Sequence, residues 1–310
     1  MSSLLTPDFL RRLGRLRLAV RRKFAGSSAG SRRSLKRGSS AEFAEHRPYY
    51  PGDDVRRIDW NAYARLEELV LRLFVAEDDL TLYLLVDRSA SLGLGAPDTK
   101  LDVAKRVAAG LGYVALSGSE RVTVLPFADR LGWPLSPVRG RRRIGVLLRY
   151  LDGVELGAET DLARAVDEFL ARSPRPGLVA VVSDFLDPSG FKRPLDRLLA
   201  ARHEPVLFQV LDREELDPTP GGDLVLVDAE TGAKVEVSLD ERAVRAYRKR
   251  LEAFVDQLSG YAKQRGLFYQ RVGANVVARS ENRPGAAGHS SLGEETLPWS
   301  DALVAYLRAG

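Results

Sequence analysis

The sequence predicts an α/β protein: a doubly wound, mostly parallel sheet flanked by helices, with an N-terminal extension and a β-hairpin insertion. Three observations carry this. Apolar runs of strand length alternate with amphipathic runs of helix length from residue 80 onward. The strand runs are apolar on both faces, as parallel strands covered by helices on two sides must be. TLYLLVD (81–87) and LVAVVSD (178–184) are among those that end in an aspartate. In open parallel sheets ligands bind outside the carboxyl ends of the strands. At 310 residues, 45% hydrophobic and 29% charged, the chain can hold one domain of roughly 200 residues plus an extension.

The elements follow in order. Thr6-Pro7-Asp8 opens a helix, with threonine at the N-cap and proline in the first turn. Phe9, Leu13, Leu16, Val20 and Phe24 then form one apolar stripe on an arginine-rich helix. GSSAGSRRSLKRGSS (26–40) reads as a flexible connector. In residues 41–77, Pro51-Gly52-Asp53 marks a turn and Leu69–Val75 a strand. The body, 78–275, alternates strands 81–87, 121–128, 178–184 and 204–212 with helices 100–116, 141–154, 161–172 and 189–202. The first of these helices is capped by Asp98 or Thr99, and a short strand is expected around Leu131–Val138. DLVLVDAETGAKVEVSL (223–239) is a hairpin turning at Thr231-Gly232, followed by a long helix (240–265) and a last strand (267–273). Residues 276–310 hold a Gly/Ser/Pro-rich loop and a helix over Ser300–Arg308.

Composition narrows the chemistry. There is no cysteine, hence no disulfide and no thiolate chemistry. The three histidines, His46, His203 and His289, have no metal-ligand spacing. No apolar run approaches the ~18 residues that span a bilayer, and no signal peptide is evident, so a cytoplasmic location is expected. The net charge of +5 divides into +10 for residues 1–40 and −5 for the remaining 270. A basic amphipathic arm can lie on an anionic membrane surface such as the inner face of the cell membrane, seat a partner, or pack its stripe back on the body. Nucleic acid is not expected, because no aromatic stacking platform accompanies the charge.

The candidate site is a set of oxygens. Asp87, Ser89 and Ser91 follow the first body strand as D-x-S-x-S; Thr160 lies in the loop before helix 161–172; Asp184 ends the third body strand. Two carboxylates and three hydroxyls, without nitrogen or sulfur, suit Mg²⁺, with Mn²⁺ or Ca²⁺ as substitutes. Two negative charges leave a divalent ion able to take a carboxylate from a partner. The competing structural reading is that the aspartates cap helices and the serines satisfy loop amides.

D-x-S-x-S, then a threonine before an apolar helix, then an aspartate after an apolar strand resembles the von Willebrand factor A family and its metal-ion-dependent adhesion site. The resemblance implies that Asp87, Ser89, Ser91, Thr160 and Asp184 are metal ligands; Arg88 within the first motif departs from the pattern. A second stretch, EFAEHRPYYPGDDVRRIDWNAYAR (42–65), is very similar to the signature of the DUF58 family, in which such a segment precedes a von Willebrand A-like domain. That resemblance implies a non-enzymatic partner of a MoxR-type AAA+ ATPase, acting on client proteins in a chaperone-like maturation or remodelling role. Within the segment, close acids and arginines can pair, and Phe43, Trp60 and the tyrosines serve either as a structural brace or as a docking surface. Two alternatives stay open. One is a Mg²⁺-dependent phosphohydrolase with Asp87 as nucleophile, against which stand the lack of a carboxylate two residues on and of a lysine near the site. The other is a metal-free scaffold. No P-loop is present.

Overall fold

The computed structural model describes residues 4–6, 9–11, 13, 42–51, 53, 55, 58–75, 80–172, 175–219, 221–230, 232–275 and 296–308. The chain forms two compact units, residues 25–79 and residues 1–24 with 80–310.

In the smaller unit, strand Glu42–Pro48 (β1) pairs antiparallel with Val70–Val75 (β2), and helix Trp60–Leu66 (α1) lies between them in sequence. The second strand matches expectation. β1 and α1 are additional; EFAEHRP shows neither a period of two nor an apolar face. The Pro-Gly-Asp turn is held by its aspartate: Asp53 accepts from Arg47 Nη2 at 2.8 Å and from the Tyr50 amide at 3.0 Å. Asp59 caps α1, its Oδ1 accepting from the Asn61 and Ala62 amides at 3.0 and 3.1 Å. On α1 the rings of Trp60 and Tyr63 meet in a T, 6.1 Å apart, and both are exposed, as are Leu66 and Tyr50.

In the larger unit, the strands are Thr81–Asp87 (β3), Arg121–Phe127 (β4), Leu135–Arg139 (β5), Leu178–Ser183 (β6), Glu204–Asp212 (β7), Phe268–Ala274 (β10) and Leu297–Pro298 (β11). They form one sheet in the order β11-β10-β7-β6-β3-β4-β5, parallel throughout except for β5. The hairpin Gly222–Val227 (β8) and Lys234–Leu239 (β9) stands outside this sheet. The helices are Lys100–Ser117 (α2), Ile144–Asp152 (α3), Leu162–Arg172 (α4), Lys192–Ala200 (α5), Arg213–Leu216 (α6), Glu241–Gln264 (α7) and Trp299–Arg308 (α8). This is the expected α/β architecture, a mostly parallel sheet flanked by helices. β11, two residues long, is too short to leave a pattern in sequence.

The period-2 alternation of β3 divides the core. Leu82, Leu84 and Val86 pack with α2, α3 and α8 on one face, while Tyr83 and Leu85 pack with α4, α5 and α7 on the other. Thr99, one of the two expected caps, starts α2 through a capping box with Asp102. Leu4, Leu5, Phe9 and Leu13 of the arm are buried in the first core, with Phe9 stacked in a T against Trp299 at 4.5 Å. The first part of the arm's apolar stripe is therefore spent on the body; Leu16, Val20, Phe24 and the connector lie outside the described residues.

His203 closes the far end of the second core. Its Nδ1 accepts the Gly177 amide at 3.2 Å, and its ring packs against Tyr83 and Phe169 at 5.6 and 5.1 Å. A β-carbon on Gly177 would stand 2.4 Å from the Thr81 carbonyl oxygen, so only glycine fits this approach. Burial pushes the His203 pKa below the ordinary 6.5. The neutral ring's contribution to stability is thus full above pH 6.5 and is lost as pH falls from there through the lowered value. We expect His203→Gln, which keeps an acceptor but does not titrate, to show a flatter loss of unfolding free energy between pH 7.5 and 5.5 than the wild type in urea titrations.

Candidate functional site

β3 and β6 are parallel neighbours with Val86 opposite Val182, so Asp87 and Ser183 come side by side at the strand tips, with Asp184 one residue beyond. Asp87 is 1% exposed. Its Oδ1 accepts the Ser89 amide at 2.9 Å and its Oδ2 the Ser183 hydroxyl at 2.5 Å. Asp184, also buried, accepts the Ser91 hydroxyl on Oδ2 at 3.0 Å and the Leu186 amide on Oδ1 at 3.1 Å. Ser89 Oγ and Ser91 Oγ lie 3.1 Å apart. Four of the five expected residues thus form one connected cluster. The turn after β6 is tight: Phe185 has φ of +60°, and its amide donates to Ser183 Oγ at 2.9 Å.

The fifth residue arrives through the backbone. The Gly157 amide donates to the Arg88 carbonyl at 2.6 Å, and the Ala90 amide to the Ala158 carbonyl at 2.8 Å. These bonds lay loop 155–160 along the D-x-S-x-S turn. A β-carbon at residue 157 would stand 2.8 Å from Ala128 Cβ and 3.1 Å from Arg88 Nη1, so a glycine is required. Thr160 is half-buried and gives its amide to Glu230 Oε2 at 3.3 Å. Arg88 turns to this loop, donating to the Glu155 carbonyl at 3.3 Å, and not to the carboxylates.

Three further residues complete the site. Lys100 corrects the expectation that no lysine lies near it. The side chain is fully buried, and its Nζ donates to Asp184 Oδ2 at 2.9 Å and to Glu215 Oε1 at 2.6 Å. Glu215 is fixed in turn, its Oε2 accepting the Asp212 amide at 2.8 Å in the capping box of α6. Glu230, in the turn between β8 and β9, reaches the site from the hairpin. Lys100 left no clear signal in sequence: a lysine at the first position of a helix opposes the helix dipole only weakly and is ordinarily solvated.

Burial, and next the charge of Asp184, raise the Asp87 carboxyl to about 7, against hydrogen bonds from Ser183 and Ser89 that pull it down. Burial alone would lower Lys100, but Asp184 and Glu215 outweigh it and hold the ammonium above its ordinary range. Glu230 is raised, first by burial and then by Asp184, Asp228 and Asp187. The site holds more negative charge than Lys100 neutralises, with buried carboxylates at its base and half-buried hydroxyls at its mouth. These donors fit a hard dication. Among the described residues no three acidic, histidine or cysteine side chains form a metal-holding group, so an ion here would depend on the serine and threonine hydroxyls and on water.

Fold and site together define an α/β protein with an oxygen-lined, ionisable cluster at the carboxyl ends of its central strands. Residues 45–255 match the family described as "Protein of unknown function DUF58", and the chain belongs to that family. The uncharacterized protein Rv1480 of Mycobacterium tuberculosis is 37% identical over 239 residues, 76% of this chain and 75% of its own length; the uncharacterized protein Mb1516 of Mycobacterium bovis matches to the same extent. Among solved structures, the conserved hypothetical protein BatB of Bacteroides thetaiotaomicron aligns with a TM-score of 0.38 at 14% identity, covering 59% of this chain and 99% of its own. An aerotolerance-related membrane protein of Bacteroides fragilis aligns at 0.39 and 16%, covering 62% and 90%. Among the described residues no helix is long and apolar enough to cross a membrane.

Proposed function

We propose that this chain is a non-enzymatic, metal-dependent protein-interaction module of the von Willebrand A-like type, working in the cytoplasm with a MoxR-type AAA+ ATPase in the maturation or remodelling of client proteins. The observation that carries this reading is the cross-strand bonding at the tips of β3 and β6, where Ser183 meets Asp87 and Ser91 meets Asp184. Asp87, Ser89, Ser91, Thr160 and Asp184 are the residues that would hold Mg²⁺, with Mn²⁺ or Ca²⁺ able to replace it. When bound, the ion supplies a Lewis-acidic position for a carboxylate of the partner. The chain's own residues do the rest: they keep the oxygens dry, fix their spacing through loop amides, and set the charge a partner meets. The exposed Trp60–Tyr63 pair and Tyr50 provide a second contact of the aromatic kind that dominates interface energetics.

The test uses the purified full chain and a MoxR-type ATPase from the same cell, in pull-downs with Mg²⁺ or EDTA. Asp87→Ala is expected to abolish dication binding and ATPase capture together while the circular dichroism spectrum is kept. Capture that is equal with and without chelator, and unaffected by Asp87→Ala, overturns the proposal.

Lys100 beside Asp184 gives one observation to the phosphohydrolase reading. Against it, Asp87 is 1% exposed, and a nucleophile must meet the phosphoryl group directly, whereas a metal ligand can act through a bound water. Phosphate release with Mg²⁺ that Asp87→Asn abolishes would favour the enzyme.

A further inference from the structure

We propose that Lys100 is a built-in cation that latches the oxygen site shut and competes with a divalent ion for Asp184. The inference rests on the metal-binding reading and names the device that regulates it. The ammonium and the Ser91 hydroxyl share one oxygen, Asp184 Oδ2, at 2.9 and 3.0 Å. A dication held between Ser91 and Asp184 would therefore stand on the order of 4 Å from a fully buried ammonium, where repulsion is weakly screened.

The geometry also provides somewhere for the ammonium to go. Glu215 Oε1 already accepts it at 2.6 Å, closer than Asp184, and Glu215 is locked by its other oxygen to the Asp212 amide. Lys100 spans the tip of β6 and the helix after β7, with four methylenes that can lean either way. In the closed arrangement the ammonium is divided between Asp184 and Glu215. In the open one it rests on Glu215 alone and frees Asp184 for a dication. Glu215 is thus the positioning residue of the latch, and the affinity of the site for metal is set by how strongly Glu215 draws the ammonium away.

The two halves of the latch predict opposite signs. In titrations with Mn²⁺ alone, followed by calorimetry or by the paramagnetic signal of free Mn²⁺, Lys100→Met is expected to bind about tenfold tighter or more than the wild type. Glu215→Gln leaves the ammonium to Asp184 and is expected to bind several-fold more weakly. Asp87→Ala serves as the control that loses binding, and circular dichroism reports folding. A wild type without binding but a Lys100→Met that binds also supports the latch. Should Lys100→Met fail to fold, Glu215→Gln decides by its direction alone. Equal Mn²⁺ affinity in the wild type and both latch variants, with loss in Asp87→Ala, overturns the latch and leaves the metal reading standing. Absence of Mn²⁺ binding in every variant overturns both.

Discussion

Asp184→Ala is expected to lower the unfolding free energy by about 1–3 kcal/mol at pH 7 without divalent ions. The cause is the group left behind. Lys100 is wholly buried, and Asp184 is its more deeply buried partner; Glu215 is 17% exposed. Removing Asp184 takes away one of the ammonium's two carboxylate partners and leaves it to Glu215 alone, at 2.6 Å, in a medium that solvates charge poorly. Ser91 loses its acceptor as well, but a half-buried hydroxyl finds water at small cost. Urea unfolding monitored by circular dichroism measures the loss. The double variant Asp184→Ala, Lys100→Met is expected to fall short of the sum of the two single costs, because the second change removes the charge that has lost a partner. Additive costs would mean that the ammonium and the carboxylate do not depend on each other.

A chain ended before Trp299 is expected not to reach a native state. Helix α8 is integral to the first core: Leu303 and Leu307 are 0% and 1% exposed and Val304 is 7%. Tyr306 stacks on Phe208 and Phe268 at 5.7 and 4.7 Å. Leu303, Val304 and Leu307 together account for about 5–9 kcal/mol of apolar burial, similar to the whole stability of a typical domain, about 5–15 kcal/mol. The same cut strips Phe9 of its stacking partner Trp299, loosening the arm. The expected readout is loss of the cooperative thermal transition and of near-ultraviolet dichroism. A truncated chain that melts cooperatively near the wild-type temperature would show that α8 is dispensable.

The central strands β3, β4, β6 and β7 were legible because each is a mostly apolar run, and the aspartates at the ends of β3 and β6 mark the tips. Parallel pairing then places Asp87 beside Ser183 without further information. The charged additions were not legible. Lys100 is 13 positions past Asp87 at the start of a helix, where lysine ordinarily meets solvent. Only the position of α2 beneath the tips of β6 and β7 buries it. Glu215 and Glu230 belong to a four-residue helix and a hairpin turn, and nothing local in those segments points to the site. β1 was hidden for a different reason: EFAEHRP mixes charged and apolar residues without a period of two, so only its pairing with β2 marks it as a strand. The division of the chain at residues 40 and 276 separates in sequence what packing unites, since the arm and α8 share one core.

The borders of the central sheet carry a consequence for recognition. Its outermost strands are β5, with Pro137 among five residues, and β11, with Pro298 as one of two. A proline offers no amide hydrogen for a ladder, and so few residues offer little for an incoming chain to zip onto. Among the described residues, partners that bind by extending a sheet with a strand of their own find a poor template there. Among the described residues, what this sheet offers a partner lies at its ends, in side chains more than in backbone.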